Sequence, residues 1–224
     1  MLDIDIQYTW LLLFLPLVVA AFNWFFLTKR ANVAALTSTF SCLVTFVLSL
    51  ALLDKTGTDA FTWLSISSVF SIDLGFVLDP LSTRMMLVVT GIGLLVHIFS
   101  LGYMADDKAK ARYFACLSLF MFSMTGIVLA SNIAMTFIFW ELVGLSSYLL
   151  IGHWYTRSAA ADAAKKAFIC NRVGDFGFLI GILTLWALTN TLNFSLMEMP
   201  GGISETLLNI TVLCLFCGAV GKSA

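Results

Sequence analysis

Four charged residues lie inside long apolar stretches of this sequence and are its best candidates for chemistry. Glu141 falls within an apolar run at about residues 133–151, Arg172 and Asp175 share a second run, and Lys222 lies in a third. If such runs cross a lipid bilayer, each charge costs about 2.5–3.5 kcal/mol on insertion scales, and intramembrane charges commonly mark ion pathways. Because carboxyl and amino groups bind and release protons, the sequence predicts a proton-handling site.

The composition indicates that the chain resides in a bilayer. Hydrophobic residues make up 60% of the sequence and charged residues only 11%, which excludes an ordinary soluble domain. Stretches of roughly 20 apolar residues cross about 30 Å of hydrocarbon. Seven such stretches occur, at about 8–27, 33–53, 81–103, 113–130, 133–151, 163–188 and 205–224. The predicted fold class is therefore an all-α membrane protein with about seven transmembrane helices.

One connecting segment departs from the helical pattern. Residues 54–79 contain a partly alternating core at 61–76 that is rich in aromatic and β-branched residues, which predicts a short outer-face β-hairpin between helices 2 and 3. Asp79 and Pro80 then mark the start of the third helix, since proline suits a first helical turn. Asn132 is expected to cap the fifth helix. Glycines and other small residues recur on the fifth and sixth helices, where they permit close helix contact.

The basic residues between the spans are distributed unequally across the membrane. Eight lie on one side and two on the other, and the cytoplasmic side usually retains the larger share. The first group is Lys29, Arg30, Lys108, Lys110, Arg112, Arg157, Lys165 and Lys166, and the second is Lys55 and Arg84. This asymmetry predicts that the N-terminus lies outside. The first span is not expected to be a secretory signal peptide, because acidic rather than basic residues precede it.

Each intramembrane charge also has a purely structural interpretation. Glu141 lies about 12 Å along its helix, near mid-membrane, where it either exchanges protons or forms a structural hydrogen bond to a neighbouring helix. Arg172 and Asp175 are spaced i, i+3 on one helix face and are expected to form an ion pair. That pair either tunes Glu141 or simply fastens helices together.

Lys222 is likewise open to two interpretations. It follows Gly218 and Gly221, which could permit a local break in the seventh helix and a buried, proton-carrying amine. Alternatively, its long side chain extends to the cytoplasmic surface. No pattern supports a metal or nucleotide site, since Cys214 and Cys217 lack further ligands and the segment ending in Lys222 lacks the first glycine of a phosphate-binding loop.

Several motifs together resemble one family. They are FWELVGLSSYLLIG at 139–152, AAKKAFICNRVGD at 163–175, GAVGKSA at 218–224 and DLGFVLDPLS at 73–82. These segments resemble the distal antiporter-like membrane subunit of respiratory complex I, known as NADH-quinone oxidoreductase chain L or NADH dehydrogenase subunit 5. The resemblance covers nearly the whole chain and implies an N-terminal fragment. It divides the chain into a four-helix transmembrane region at 1–130, with the hairpin at about 54–79, and the truncated start of a proton-translocating domain at 131–224.

The resemblance also implies roles for the four charged residues. Glu141 matches the glutamate of the family's fifth helix and Lys222 the lysine of its broken seventh helix, which together form the input half of a proton channel. Arg172 and Asp175 match a charged pair on the sixth helix that modulates this site.

The implied function is proton translocation coupled to quinone reduction in partner subunits. The resemblance implies no cofactor or metal in this chain, and NADH, flavin, iron–sulfur clusters and quinone in its partners. Its expected partners are other membrane subunits of complex I, the lipid bilayer and protons, but no nucleic acid, and its expected location is a bacterial plasma membrane. Two alternatives remain: a subunit of a multi-subunit cation/proton antiporter, and a scaffold without transport activity.

Overall fold

The computed structural model describes residues 5–66, 70–198, 201 and 203–223, without the side chains of residues 65, 66, 70 and 71. Seven helices in these ranges are long and apolar enough to cross a membrane. They are α1 (Tyr8–Phe26), α2 (Ala31–Ala51), α3 (Pro80–Tyr103), α4 (Lys110–Leu129), α5 (Ile133–Ile151), α6 (Ser158–Thr189) and α7 (Glu205–Lys222). The predicted all-α membrane fold is confirmed.

The predicted hairpin between the second and third helices is also confirmed. Strand β1 (Gly57–Ile66) pairs with strand β2 (Phe70–Leu78) in a two-stranded antiparallel sheet. The Thr62 hydroxyl donates a hydrogen bond to the Asp73 carboxylate across the pair, at 2.9 Å. Residues 67–69, which join the strands, lie outside the described residues, as does residue 224 at the predicted end of the seventh helix.

Helices α3 and α5 begin at the residues that the sequence indicates. The Asp79 carboxylate accepts a hydrogen bond from the Ser82 amide at 2.6 Å, and the Ser82 hydroxyl accepts one from the Asp79 amide at 2.8 Å. This reciprocal capping box satisfies two amides that the helix itself cannot. The Asn132 side chain accepts from the Met135 amide at 2.8 Å and so caps α5.

Helix α6 is longer than predicted. It begins at Ser158 rather than at residue 163 because its first turns are rich in alanine, which favours helix strongly but contributes little to an apolar scan. Lys165 and Asp162 form an exposed ion pair in this part of the helix, at 3.5 Å. Helix α4 also begins earlier than predicted, at Lys110 rather than at residue 113, because its first turn contains Lys110 and Arg112, which a scan for apolar residues leaves out.

The chain divides into two compact units. The first comprises residues 1–59 and 76–129, and contains α1–α4. Buried polar side chains join three of its helices. The Asn23 amide on α1 donates to the Ser38 hydroxyl on α2 at 2.8 Å, and Ser38 in turn donates to the Phe114 carbonyl on α4 at 3.2 Å. Hydrogen bonds of this kind help helices associate where surrounding lipid is as apolar as the side chains.

The second unit comprises residues 60–75 and 130–224, and contains α5–α7. A buried apolar cluster of Ile133, Phe178, Ile182 and Leu185 joins α5 to α6. Helices α6 and α7 touch through their backbones, since a Cβ atom added to Gly174 would lie 2.9 Å from the Cα of Gly221. This unit contains all four charged residues singled out in the sequence, and the functional division expected at residue 130 stays a prediction.

Candidate functional site

The carboxylate of Glu141 and the guanidinium of Arg172 form an ion pair between helices α5 and α6. The two side chains are 22% and 40% exposed, respectively. The guanidinium carbon of Arg172 also lies 4.6 Å from the ring centroid of Phe168, one turn earlier on α6. Glu141 lies midway along α5, as its sequence position predicts. Arg172 is therefore held by both a carboxylate and an aromatic face.

Lys222 and Asp175 form a second pair, between helices α7 and α6. The ammonium nitrogen of Lys222 lies 4.0 Å from the Oδ1 of Asp175, and the side chains are only 11% and 3% exposed. The ammonium also donates a hydrogen bond to the backbone carbonyl of Trp140 on α5. Lys222 thus points into the three-helix unit. The alternative interpretation of the sequence, in which its side chain extends to the cytoplasmic surface, is not what the structure shows.

Trp140 contacts both members of this second pair. Its indole nitrogen donates a hydrogen bond to the Oδ1 of Asp175 at 2.8 Å, and its ring centroid lies 4.9 Å from the ammonium nitrogen of Lys222. The other carboxylate oxygen of Asp175 is buried and has no hydrogen-bond partner within the described part of the chain. Trp140 therefore supplies a donor to the carboxylate, an acceptor to the ammonium and an aromatic face.

Sequence reasoning missed Trp140 as part of the site. A tryptophan within an apolar span commonly packs against lipid or other helices, so its presence alone indicates no role. Two signals could have found it: it precedes Glu141 directly, and a buried indole N–H usually requires an acceptor. Asp175 is the acceptor that the structure provides.

The ion pair expected within α6 is replaced by two pairs between helices. Arg172 pairs with Glu141 on α5, and Asp175 pairs with Lys222 on α7. Side chains three residues apart diverge by about 60° around a helix axis, so each can reach a different neighbouring helix. Glu141 and Lys222, which the resemblance assigns to one channel, are linked here through the backbone of Trp140.

Two glycine positions shape the surroundings of Lys222. A Cβ atom on Gly144 would lie 3.3 Å from the ammonium nitrogen, so glycine leaves room for the lysine head group beside α5. Helix α7 runs without interruption from Glu205 to Lys222, and the break expected at Gly218 or Gly221 is not found within the described residues. Gly221 instead gives α7 its close approach to α6, next to Lys222.

The site is electrically balanced because it contains two carboxylates and two basic groups in two pairs. Removing either member of the Lys222–Asp175 pair, whose side chains are the less exposed, would leave an uncompensated charge in apolar surroundings, which is far more costly than the intact pair. Carboxylates and amines are groups that can bind and release protons, and ionisable groups in membrane spans are characteristic of ion pathways. Within the described ranges, no group of three or more His, Cys, Asp or Glu side chains is arranged to hold a metal ion.

Comparison with known families gives two matches along the chain. A family model described as NADH-ubiquinone oxidoreductase (complex I), chain 5 N-terminus, matches residues 63–114. A second model, described as NADH:quinone oxidoreductase/Mrp antiporter, transmembrane, matches residues 130–224. The second match contains all four charged residues and Trp140.

Individual relatives agree with these matches. The chain is 39% identical to the chloroplastic NAD(P)H-quinone oxidoreductase subunit 5 of Zygnema circumcarinatum, over 97% of this chain and 34% of that protein. It is 47% identical to NAD(P)H-quinone oxidoreductase chain 5 of Synechocystis sp., over 72% of this chain and 25% of that protein. The chain thus spans about a third or less of the length of these relatives.

Solved structures share the fold at lower sequence identity. A chain of the Mrp complex from Dietzia sp. superposes with a TM-score of 0.82 at 21% identity, over 96% of this chain and 24% of that one. A chain of the membrane-bound sulfane sulfur reductase, an archaeal respiratory membrane complex, gives a TM-score of 0.70 at 20% identity, over 95% of this chain and 44% of that one. The helical arrangement therefore recurs in these two membrane complexes.

Proposed function

Because the chain belongs to the family of antiporter-like membrane subunits that includes complex I chain 5, we propose that it is a proton-translocating membrane subunit of an NADH:quinone oxidoreductase. The observation that carries this proposal is the meeting of three apolar helices at two ion pairs, Glu141 with Arg172 and Lys222 with Asp175. Ionisable groups in membrane spans are costly and are characteristic of proton and ion pathways.

Lys222 is the proposed proton carrier. Its side chain is largely buried, its ammonium lies 4.0 Å from the Asp175 carboxylate and donates to the Trp140 carbonyl, and Gly144 leaves space for it. A lysine amine changes its proton affinity readily with its electrostatic surroundings. Any change in the nearby carboxylates therefore changes how tightly Lys222 holds its proton.

Glu141 and Arg172 are the proposed control element of this site. The Arg172 guanidinium forms an ion pair with the Glu141 carboxylate. Lys222 contacts the backbone of Trp140, the residue that precedes Glu141. Separation of Glu141 from Arg172 would free a negative charge on α5, one residue after the carbonyl that binds Lys222. A negative charge that comes within about 4–6 Å of an amine favours its ammonium form. Exchange of partners between the two pairs would then bind or release a proton.

The energy for this exchange is proposed to come from other subunits. NADH, flavin, iron–sulfur clusters and quinone are assigned to these partners, and a conformational or electrostatic change is transmitted to the membrane subunit. The chain itself is a multi-pass membrane protein. Its unequal distribution of basic residues supports an outside N-terminus, and we propose a bacterial plasma membrane as its location.

The substitution Glu141→Gln in the full-length protein tests the proposal. It removes the charge at nearly constant volume, so the complex should assemble while much of the proton pumping per NADH oxidised is lost. Glu205→Gln is the matched control, because Glu205 lies at the start of α7, away from the two pairs, and its replacement should leave pumping unchanged. Undiminished pumping by Glu141→Gln would refute the assignment.

A second candidate function is cation/proton exchange in an Mrp-type antiporter. The family model that matches residues 130–224 describes both NADH:quinone oxidoreductase subunits and Mrp antiporter subunits, and this shared match supports the second candidate. Sodium-dependent proton movement in membranes without NADH oxidation would support the antiporter. Proton movement that requires NADH and quinone, and that is unaffected by sodium, would support the first proposal.

A further inference from the structure

We propose that Trp140 is the positioning residue that keeps Lys222 and Asp175 apart as a charged pair, which deepens and rests on the proposed proton-translocating function. Trp140 donates its indole N–H to the Asp175 carboxylate at 2.8 Å and accepts a hydrogen bond from the Lys222 ammonium at its backbone carbonyl. One residue of α5 thus contacts both members of the pair, Asp175 on α6 and Lys222 on α7.

The separation of the pair is the reason for assigning this role. The Lys222 nitrogen and the Asp175 oxygen are 4.0 Å apart, whereas a direct hydrogen bond between such groups requires about 2.7–3.2 Å. The same Asp175 oxygen accepts the indole hydrogen bond, and the ammonium donates one of its three N–H groups to the Trp140 carbonyl. The proton of Lys222 therefore cannot pass directly to Asp175 without a change in these contacts.

Tryptophan is chemically suited to this task. The indole N–H is only a donor and does not take up a proton at physiological pH, so it can stabilise a carboxylate without joining the transfer. Its ring lies 4.9 Å from the ammonium nitrogen, a distance at which an aromatic face attracts a cation. One tryptophan can therefore contact the carboxylate and the ammonium at the same time.

The orientation of Trp140 is fixed by packing on α6. Its ring meets that of Phe178 edge to face, with centroids 5.4 Å apart and an angle of 72°. Phe137, one turn earlier on α5, meets the same Phe178 ring at 5.8 Å and 71°. Phe137 thus shares the aromatic packing of Trp140, while the Asp175 hydrogen bond belongs to Trp140. Phe137 therefore provides a matched control for loss of aromatic packing.

The test replaces Trp140 with 3-benzothienylalanine, in which sulfur replaces the indole N–H and the ring shape is retained. In the full-length protein within its membrane complex, the proton-pumping rate should fall roughly fivefold or more, because a hydrogen bond to a charged group is lost. Trp140→Phe is the second variant and should reduce pumping at least as much. Phe137→Leu should change pumping by less than about twofold, because it removes an aromatic contact with Phe178 but no hydrogen bond to Asp175.

A double substitution separates positioning from simple packing. If Trp140 acts through Asp175, Trp140→Phe should add little to the loss already caused by Asp175→Asn. The positioning role would be overturned if the losses of pumping caused by Trp140→Phe and Asp175→Asn were fully additive. It would also be overturned if Phe137→Leu lost as much pumping as the Trp140 variants, or if both Trp140 variants pumped normally. Normal pumping by Asp175→Asn and by Glu141→Gln would instead overturn the proposed function itself. The amount of assembled complex in the membrane, measured for every variant, excludes loss of protein as the cause.

Discussion

The ammonium nitrogen of Lys222 lies 4.0 Å from a carboxylate oxygen of Asp175, while Glu141 is engaged by Arg172. The two carboxylates of the site therefore pair with different basic side chains, Asp175 with Lys222 and Glu141 with Arg172. Asp175 is the more deeply buried carboxylate, at 3% exposure of its side chain against 22% for Glu141. We therefore expect Asp175 to be the stationary partner of Lys222 and Glu141 to be the carboxylate that changes partner.

The first prediction concerns energetic coupling between Lys222 and the two carboxylates. In a double-mutant cycle on pumping rate, Asp175→Asn and Lys222→Gln should be strongly non-additive, because each single change leaves the other charge buried and unpaired. Residues in direct contact commonly couple by about 0.5–3 kcal/mol, and the upper part of this range corresponds to more than a tenfold effect on rate. The measurement is NADH-driven proton uptake by the reconstituted complex.

The corresponding cycle for Glu141→Gln and Lys222→Gln is the control. Glu141 contacts Arg172 in this arrangement, so the coupling with Lys222 should be smaller than that of Asp175. A larger coupling for Glu141 than for Asp175 would mean that the pumping complex uses the other pairing. The stationary role of Asp175 would then be wrong.

The second prediction concerns the space that Gly144 leaves for Lys222. A Cβ atom at this position would lie 3.3 Å from the ammonium nitrogen and 3.9 Å from the side-chain nitrogen of Asn171. Gly144→Ala should therefore displace the lysine head group by a few tenths of an ångström and lower pumping severalfold without preventing assembly. Displacements of this size matter because transfer groups must be held closely to their working geometry.

Gly102→Ala on α3 is the matched control for this substitution. No neighbouring atom lies within 4 Å of the Cβ that it would add, so the change should be neutral or slightly stabilising through helix propensity. Equal pumping losses in the two alanine variants would show that the Gly144 effect is not exerted through Lys222.

The third prediction concerns the backbone contact between α6 and α7. A Cβ atom on Gly174 would lie 2.9 Å from both the Cys217 carbonyl and the Gly221 Cα, neither of which can rotate away. Gly174→Ala should separate the helices and destabilise the protein by about 1–3 kcal/mol, the usual cost of overpacking. The measurement is thermal unfolding of the purified protein in detergent, and the expected result is a lower melting temperature. Val173→Ala, at a side chain that is 72% exposed, should leave stability nearly unchanged.

The seven helices and the Asn132 cap could be predicted from the sequence, but the pairing of the charges could not. Helix α5 begins and ends at the predicted residues, because apolar length and the Asn132 cap are local properties. Which cation meets which carboxylate depends on the rotation and depth of neighbouring helices. Those are set by contacts such as Gly174 with Gly221, which determine where the end of α7 meets α5 and α6.

The same distinction explains why the contacts of Trp140 and Gly144 with Lys222 were not predicted. Neither has a charge, and each acts through atoms that a sequence pattern does not display, namely a backbone carbonyl, an indole N–H and an absent Cβ. The start of α6 was placed five residues late for a different reason. Its first turns are helical by alanine propensity and not by apolar character, so a hydropathy scan begins too far along the chain.

The fourth prediction concerns the pH dependence of the α3 cap. The hydrogen bond from the Ser82 backbone amide holds the pKa of Asp79 below its ordinary value of 3.8. Because the folded-state pKa is the lower one, folding favours the ionised carboxylate, and this stabilisation is complete above the unfolded-state pKa. It is lost as the pH falls through the folded-state pKa. Asp79→Ala should therefore cost about 1 kcal/mol at neutral pH, and less below about pH 4.

Thermal unfolding in detergent between pH 7 and pH 3 measures this effect. The difference in melting temperature between the native protein and Asp79→Ala should be constant near neutral pH and shrink below about pH 4, where the unfolded-state carboxyl becomes protonated. Asp79→Asn is the diagnostic control, because asparagine caps helices about as well as aspartate but does not titrate. Its difference from Asp79→Ala should persist at low pH. If the native protein keeps its full advantage over Asp79→Ala at pH 3, the cap does not depend on the charge of Asp79, and the hydrogen bonds with Ser82 alone stabilise the start of α3.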